Sequence, residues 1–323
     1  MILLSAENLS KHYGDFVAVE DVNLDIKEGE IFGLLGPNGA GKTTTINMLI
    51  GLARITAGSV TIAGTRYTDL VGAAQGLMGV VPDESNLYDE LTGFENLCFC
   101  GSLYGMRKGQ RELRARQLLE IFDLAKVGDK PFRTYSKGMK RKLTIAAGII
   151  HSPKILFLDE PTTGIDVASA REIRRLITAL NEQGTTVFLT THYIEEAERL
   201  CHRIAFIVSG KIVQVGATGD LLRQGRRDHV VQFTLDRDLQ GVRGDLETAF
   251  PEFTITDGGD GIVRMASQNP IDLIPVMEWL KDQGLKVWEA KLIQPSLEDV
   301  FVRVTGIELA KMNKEKEGRG GKR

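Results

Sequence analysis

Residues 36–43 read Gly36-Pro37-Asn38-Gly39-Ala40-Gly41-Lys42-Thr43, which fits the pattern G-x-x-x-x-G-K-[ST]. The apolar run Ile31–Leu35 before this loop predicts a buried strand, and residues 42–49 after it predict a helix that ends before Gly51. Small residues allow successive backbone N–H groups to surround a polyphosphate, and the following helix directs the positive end of its dipole at the anion. The pattern therefore predicts a phosphate-binding loop in which Lys42 reaches the β- and γ-phosphates and Thr43 offers its hydroxyl to Mg²⁺.

Two acidic residues, Asp159 and Glu160, directly follow the apolar run at residues 155–158. A run that is apolar throughout is typical of a central strand in a parallel sheet, and ligands bind at the carboxyl ends of such strands. We therefore expect Asp159 to hold Mg²⁺ and Glu160 to polarise the water that attacks the phosphate. The alternative is that both acids only solvate the strand end and cap the next helix.

His192 follows a second apolar run, at residues 185–189. A histidine at the end of a core strand can donate a hydrogen bond to a γ-phosphate during its transfer. A purely structural histidine is the alternative. The position beside the strand that carries Asp159 and Glu160 favours the functional interpretation.

A second anion-binding helix start is predicted at Ser136-Lys137-Gly138, ahead of an apolar helix at residues 143–150. Serine is a good N-cap, and a helix N-terminus attracts negative charge. One chain has one phosphate loop here, so a second phosphate site implies that this segment serves another molecule. The alternative is a plain N-cap with solvated lysines.

Strand and helix patterns alternate over residues 1–217, which predicts an α/β core built from βαβ units. Within it, residues 92–150 are mostly helical and predict a helical subdomain. Thr92 and Glu95 have the spacing of a capping box that opens its first helix.

The pattern changes after residue 217. Residues 218–308 predict the order β-α-β-β-α-β of a smaller α+β, ferredoxin-like domain, in which Trp279 and Trp288 take core positions. Ser296 and Asp299 form a second capping box that opens a last helix. Residues 309–323 are predicted to be a disordered basic tail.

The composition limits the class of protein. The chain has 323 residues, with 40 Lys and Arg against 43 Asp and Glu, and its formal net charge is -3. This balance disfavours a broadly basic surface, so no nucleic-acid partner is expected. Three cysteines do not form a disulfide framework and indicate a reducing compartment. No secretory signal and no apolar run near the ~20 residues of a membrane span are found, so we expect a soluble, cytoplasmic protein.

The order of these motifs resembles the nucleotide-binding subunit of an ATP-binding cassette (ABC) transporter over about residues 1–217. Gly36–Thr43, with Thr44 after it, is similar to Walker A, residues 135–139 to the signature motif and residues 155–160 to Walker B. Residues 163–166, ending in Asp166, resemble the D-loop, and His192 resembles the switch histidine. Tyr13 stands where the family has an aromatic residue that stacks on adenine. Residues 190–200 and 295–301 resemble the ATPases of ABC-2-type exporters.

The resemblance implies a P-loop NTPase core that binds ATP with Mg²⁺ and hydrolyses it. It also implies a head-to-tail homodimer in which each ATP lies between Lys42 of one chain and Ser136, Lys137, Gly138 and Asp166 of the other. The membrane permease would be a separate ABC-2-type chain, with this subunit peripheral on the cytoplasmic face of the cell membrane. The alternatives are a soluble ABC-type ATPase that acts on a macromolecular complex, and a regulatory module that holds ATP without hydrolysing it.

Two positions depart from the family pattern. Asp83 stands where the family usually has a glutamine, and we expect it to ligate Mg²⁺ or a water near the phosphates. Lys137 stands where the signature motif usually has glycine. Beyond these positions, Leu87, Tyr88, Leu91 and Phe94 predict an apolar docking site for the permease. The alternative is that Leu87 and Tyr88 belong to the buried core.

Overall fold

The structure, a computed structural model, describes residues 1–66, 75–225, 229–239, 243–259, 261–293 and 296–307. Contacts divide these residues into two units: Met1–Thr218 together with the described residues from Phe301, and Gly219–Val300. Each unit has an apolar core of its own. The predicted basic tail at residues 309–323 lies outside the described residues. None of the described helices combines the length and the apolar character that a membrane crossing needs.

Most of the described elements lie within residues 1–225. In chain order they are β1 (Ile2–Tyr13), β2 (Phe16–Lys27), β3 (Ile31–Leu35), α1 (Lys42–Leu49), β4 (Ala57–Ile62), β5 (Thr65–Arg66), β6 (Met78–Val81), α2 (Gly93–Leu103), α3 (Lys108–Ile121), α4 (Lys137–Gly148), β7 (Ile155–Asp159), α5 (Val167–Glu182), β8 (Thr186–Thr191), α6 (Ile194–Leu200), β9 (Arg203–Val208), β10 (Lys211–Ala217) and α7 (Thr218–Gly225).

Two sheets form the first unit. Its central sheet has the order β10-β9-β3-β8-β7-β6, in which β9, β3, β8, β7 and β6 are parallel and β10 is antiparallel. Strands β3, β7 and β8 are buried throughout, as their apolar sequences predict for central strands covered on both faces. A second, antiparallel sheet has the order β2-β1-β4-β5. The α/β fold with a P-loop NTPase core is therefore confirmed.

Helices α2, α3 and α4 form the predicted helical insert. The capping box is present, because Thr92 Oγ1 accepts from the Glu95 N–H at 3.1 Å and Glu95 Oε2 accepts from the Thr92 N–H at 2.8 Å. The third helix differs from the prediction, since it spans Lys137–Gly148 and not residues 143–150. Its first turn is rich in lysine, so the apolar pattern begins later than the helix that Ser136 caps.

The second unit has the predicted β-α-β-β-α-β order. Its elements are β11 (His229–Leu235), α8 (Arg243–Ala249), β12 (Thr254–Gly259), β13 (Ile262–Ser267), α9 (Leu273–Asp282) and β14 (Val287–Ile293), and α10 (Leu297–Thr305) follows. The antiparallel sheet order β12-β13-β11-β14 is that of a ferredoxin-like fold. Trp279 packs against Phe250, as expected of a core residue. The prediction for Trp288 is wrong: it lies on edge strand β14 and is 70% exposed.

Candidate functional site

A cleft of about 330 Å³ lies at the carboxyl ends of the parallel strands. Leu35 at the end of β3 is opposite Thr191 of β8, and Asp159 at the end of β7 is opposite Thr190. This register brings together the three segments that follow these strands. The cleft is lined by Phe16, Ala18, Asn38, Gly39, Gly41, Lys42, Thr43, Thr44, Asp83, Glu160 and His192.

The loop at residues 36–41 is shaped by its glycines. Gly41 has a φ of 102° and is the N-cap of α1, and a Cβ at this position would lie 2.8 Å from the Ala18 carbonyl oxygen. Only glycine fits both restrictions without strain. Lys42 then enters α1 with its side chain turned back under the loop, where Nζ donates to the carbonyl oxygens of Gly36 at 2.8 Å and Pro37 at 3.1 Å. The loop therefore has its positive charge fixed where a polyphosphate would bind.

Glu160 is held by three side chains in the cleft. Lys42 Nζ lies 3.2 Å from its Oε1, while His192 Nδ1 donates to its Oε2 at 2.8 Å and Thr163 Oγ1 donates to Oε2 at 3.1 Å. Burial acts to raise the pKa of Glu160, but the hydrogen bond from His192 and the charge of Lys42 outweigh it, and the net pKa is lowered. The carboxylate is therefore ionised at neutral pH and can accept a proton or a hydrogen bond from water.

Thr43 and Asp159 meet beside this group. Thr43 Oγ1 donates to Asp159 Oδ2 at 3.0 Å, and Thr190 Oγ1 donates to Asp159 Oδ1. A hydroxyl and a carboxylate are hard oxygen donors, and a site with so few of them suits Mg²⁺, which keeps several waters. The residues present therefore fit the ion. Asp83 lies in the lining of the same cleft, and its main-chain oxygen accepts from Arg141.

The signature segment does not line this cleft. Ser136 caps α4 by accepting from the Met139 N–H at 3.2 Å, and Asp166 caps α5 by accepting from the Ser169 N–H at 2.9 Å. The two helix starts contact each other, because a Cβ on Gly138 would lie 2.4 Å from Ser169 Oγ. Ser136, Lys137 and Asp166 are exposed. The predicted site residues thus form two separate groups, one around Lys42 and one around Ser136.

Comparison with known proteins identifies the family. A model for ABC transporters matches residues 19–163. The chain is 37% identical over 304 residues to the daunorubicin resistance ATP-binding protein DrrA2 of Streptomyces coeruleorubidus, which covers 93% of this chain and 94% of that protein. The chain belongs to the ABC transporter family, as an ATP-binding subunit. It is also 42% identical over 233 residues to the linearmycin resistance ATP-binding protein LnrL of Bacillus subtilis (strain 168), over 72% of this chain and 75% of LnrL.

Solved ABC structures share the fold of the ATP-binding part. An ATP-binding subunit of an ABC transporter that is 32% identical superposes with a TM-score of 0.63 over 69% of this chain and 92% of its own. A dimeric ATP-binding cassette in a post-hydrolysis state with ADP and phosphate is 28% identical, with a TM-score of 0.61 over 67% of this chain and 98% of its own.

Two residues that line the cleft of this ABC subunit, Phe16 and Ala18, are not among the residues predicted from the sequence. Phe16 is 66% exposed and lines the cleft, whereas Tyr13, which the resemblance assigns to adenine, is not among the lining residues. The two are partners across the β1–β2 hairpin. Lys11 Nζ lies 4.6 Å from the centre of the Tyr13 ring. The hairpin register distinguishes the two aromatic positions, and the Gly14-Asp15 pair between them, a typical two-residue hairpin loop, is the signal that could have placed Phe16 opposite Tyr13.

Proposed function

We propose that this subunit hydrolyses Mg²⁺-bound ATP and so powers export through a separate permease. The observation that carries the proposal is the Glu160 carboxylate, which contacts both Lys42 and His192 at the floor of the cleft. A binding module that only held ATP would not need an ionised base at this point. This contact therefore favours the enzyme over the regulatory alternative.

In the proposed reaction, Glu160 accepts a hydrogen bond from the water that attacks the γ-phosphorus and thereby polarises it. Lys42 provides positive charge to the phosphate oxygens, where the transition state needs it. His192 keeps the carboxylate oriented through Nδ1, and in its imidazolium form, which carries a proton on both ring nitrogens, its Nε2 is the candidate donor to the γ-phosphate. Thr43 and Asp159 would hold Mg²⁺, which neutralises charge on the β- and γ-phosphate oxygens when bound.

The second group of site residues supports a homodimer of cassettes. Ser136, Lys137 and Asp166 are exposed at two helix starts that lie outside their own chain's cleft, and the neighbouring Val167 is 83% exposed. We assign them to the ATP of a second copy, in a two-fold arrangement where the same surface serves both chains. Hydrolysis then removes the γ-phosphate that both surfaces contact.

An apolar groove supports a permease partner. A cavity of about 890 Å³ in the first unit is lined by Ile50, Leu52, Gln75, Gly76, Met78, Val80, Pro82, Glu84, Ser85, Asn86, Leu103 and Tyr104. Leu52 is 74% exposed and Leu103 is 70% exposed, which is the character of a surface that receives an amphipathic helix. Tyr88 lies beside this groove, packed edge-on against Phe99 at 5.1 Å, and does not line it.

Relatives support the exporter class. They include the two resistance proteins above and a Nod factor export ATP-binding protein I of Cupriavidus pinatubonensis, 36% identical over 95% of this chain and 92% of that protein. We therefore propose an ABC-2-type permease as partner and a peripheral position on the cytoplasmic face of the cell membrane. A soluble ATPase that acts on another macromolecular complex is the competing function.

The test is to purify the chain alone and together with its permease in proteoliposomes. The proposal predicts Mg²⁺-dependent ATP turnover that is lost in Lys42→Ala, and export that needs both chains. The matched control, Lys108→Ala, changes a lysine that is exposed on α3. The exporter assignment would be contradicted if the permease left ATP turnover unchanged and a ribosomal or other soluble fraction stimulated it instead.

A further inference from the structure

Arg141 is a charged residue of α4 that is buried, with 7% of its surface exposed. Its guanidinium donates to five main-chain carbonyl oxygens: Nε to Pro161 at 2.9 Å, Nη1 to Pro82 and to Asp83 at 3.1 Å, and Nη2 to Asp159 at 2.6 Å and Glu160 at 2.7 Å. A guanidinium has five N–H donors. The number of acceptors around Arg141 thus equals its full donor capacity.

This arrangement is not explained by packing alone. Burying a charge is unfavourable unless hydrogen bonds compensate it, and an apolar side chain would fill the same space at lower cost. All five acceptors lie in two segments, the loop after β6 and the end of β7 with the turn that follows it. Arg141 therefore joins the Asp83 loop to the turn that carries Glu160.

The Glu160 turn needs such support. Glu160 has a φ of 49°, a left-handed conformation that is unfavourable for a residue other than glycine. Strain of this kind persists at functional sites only when the surrounding structure fixes it. The N–H of Glu160 donates to the Thr190 carbonyl oxygen at 3.1 Å, and the carbonyl oxygens on both sides of it accept from Arg141. Because its N–H and the flanking carbonyl oxygens are all held in this way, the Glu160 carboxylate is directed at Lys42 and His192.

Helix α4 connects this turn to the segment between β6 and α2. Its start is capped by Ser136. Further along, Lys140 Nζ lies 3.2 Å from Asp89 Oδ1, and Thr144 Oγ1 donates to Ser85 Oγ at 2.9 Å. These two contacts reach the segment between β6 and α2, whereas Arg141 reaches the catalytic turn as well.

We propose that Arg141 is a positioning residue that holds the main chain of Glu160 in the geometry for hydrolysis. Through Arg141, that geometry depends on the position of helix α4. The inference rests on the proposed function. In the proposed dimer, the start of α4 contacts the ATP of the partner chain, so one helix links a chain's own catalytic turn to its partner's nucleotide. The effect of Arg141 is on the Glu160 of its own chain.

Arg141→Lys tests the proposal, because it keeps the charge but has its three donors on one nitrogen and does not span both segments. We expect kcat to fall by about 10²-fold, the cost of a misplaced catalytic group, with the Kd for ATP within about threefold of the parent value. Arg133→Lys is the matched control, because Arg133 is exposed and pairs with Glu90 at the surface, and it should change kcat by less than about threefold. An unchanged kcat in Arg141→Lys, or an equal loss in Arg133→Lys, overturns the proposal. The proposal is also overturned if ATP affinity or the melting temperature of Arg141→Lys falls far enough to explain the lower kcat, because Arg141 would then have only a structural role.

Hybrid dimers of differently tagged chains separate the two chains' contributions. One chain carries Lys42→Ala, so that ATP is hydrolysed only at the Lys42 site of the other. Arg141→Lys in the chain with intact Lys42 should slow this site by about 10²-fold, whereas Arg141→Lys in the Lys42→Ala chain should leave it near the control rate. Equal slowing in both arrangements overturns the own-chain assignment. A parent dimer, measured alongside, that neither forms with ATP nor hydrolyses it would reject the proposed function itself.

Discussion

Lys42 and Glu160 form a buried ion pair across the cleft, with Nζ 3.2 Å from Oε1 and side chains that are 5% and 10% exposed. The partners come from different segments, the loop after β3 and the turn after β7. The cationic group for the phosphates and the base for the water are therefore placed by the parallel strands β3 and β7, and His192 completes the arrangement from the end of β8, which lies between them. Their function depends on the sheet register more than on any local sequence feature.

The first prediction concerns His192. His192→Ala should lower kcat by about 10²- to 10³-fold, because it removes both the hydrogen bond that orients Glu160 and the candidate donor to the γ-phosphate. The affinity for ATP should stay within a few fold of the parent value. Steady-state hydrolysis and nucleotide titration measure both quantities, with the exposed His12→Ala as the matched control. A His192→Ala enzyme with normal kcat would rule out the role.

Phe16 should matter more than Tyr13 for ATP affinity. Phe16 lines the cleft and Tyr13 does not. Stacking of a base on an aromatic ring contributes about 1–3 kcal/mol, so Phe16→Ala should weaken ATP binding by roughly 5- to 150-fold. Fluorescence titration of Phe16→Ala, Tyr13→Ala and the parent chain compares the two. A larger loss in Tyr13→Ala would support the family assignment of adenine to Tyr13.

Much of the fold and part of this site are predictable from local sequence. Strand Ile31–Leu35 and helix Lys42–Leu49 have the predicted bounds, because an apolar run, a glycine loop and a helix start are all local signals. Trp288 is exposed because β14 forms an edge of its sheet, and the local sequence does not indicate which strand lies at the edge. The five acceptors of Arg141 come from two segments 18 to 59 residues away along the chain, so no spacing rule predicts them.

Glu196 gives a prediction on pH and stability. It is 3% exposed, its Oε1 accepts from Thr162 Oγ1 at 2.7 Å, and its Oε2 has no hydrogen-bond partner in the described structure. Burial raises the pKa of Glu196, against the lowering effect of the nearby Thr191 and Thr162 hydroxyls. The folded state therefore binds this proton more tightly than the unfolded state, and stability decreases as pH rises from the ordinary glutamate pKa through the raised one.

Glu196→Gln removes this penalty while an amide oxygen can still accept from Thr162. At pH 8 the variant should be more stable than the parent by more than the about 0.5 kcal/mol typical of surface changes, and at pH 4 the gain should disappear. Urea unfolding at both pH values measures the difference. Glu195→Gln, exposed on the same helix, is the control and should show no such pH dependence. A gain that is equal at both pH values would contradict the raised pKa.

The permease groove is tested by charge insertion. Leu52→Glu and Leu103→Glu should abolish co-purification with the permease, because each puts a carboxylate into an apolar contact. Basal ATP hydrolysis by the isolated chain should be unchanged. Leu113→Glu is the matched control, since Leu113 is 62% exposed but lies outside the groove lining. If Tyr88→Ala releases the permease and the two groove variants do not, the docking site is at the residues that the sequence analysis named.

The most direct test of the account is the Mg²⁺-ATP hydrolysis rate of Glu160→Gln, measured together with its oligomeric state by gel filtration. An amide keeps the shape of the side chain but does not act as the base. We predict that the variant binds ATP, hydrolyses it about 10²- to 10⁴-fold more slowly than the parent, and elutes as a dimer only when Mg²⁺ and ATP are present. Hydrolysis at a rate near that of the parent would contradict the assignment of Glu160 and, with it, the proposed mechanism.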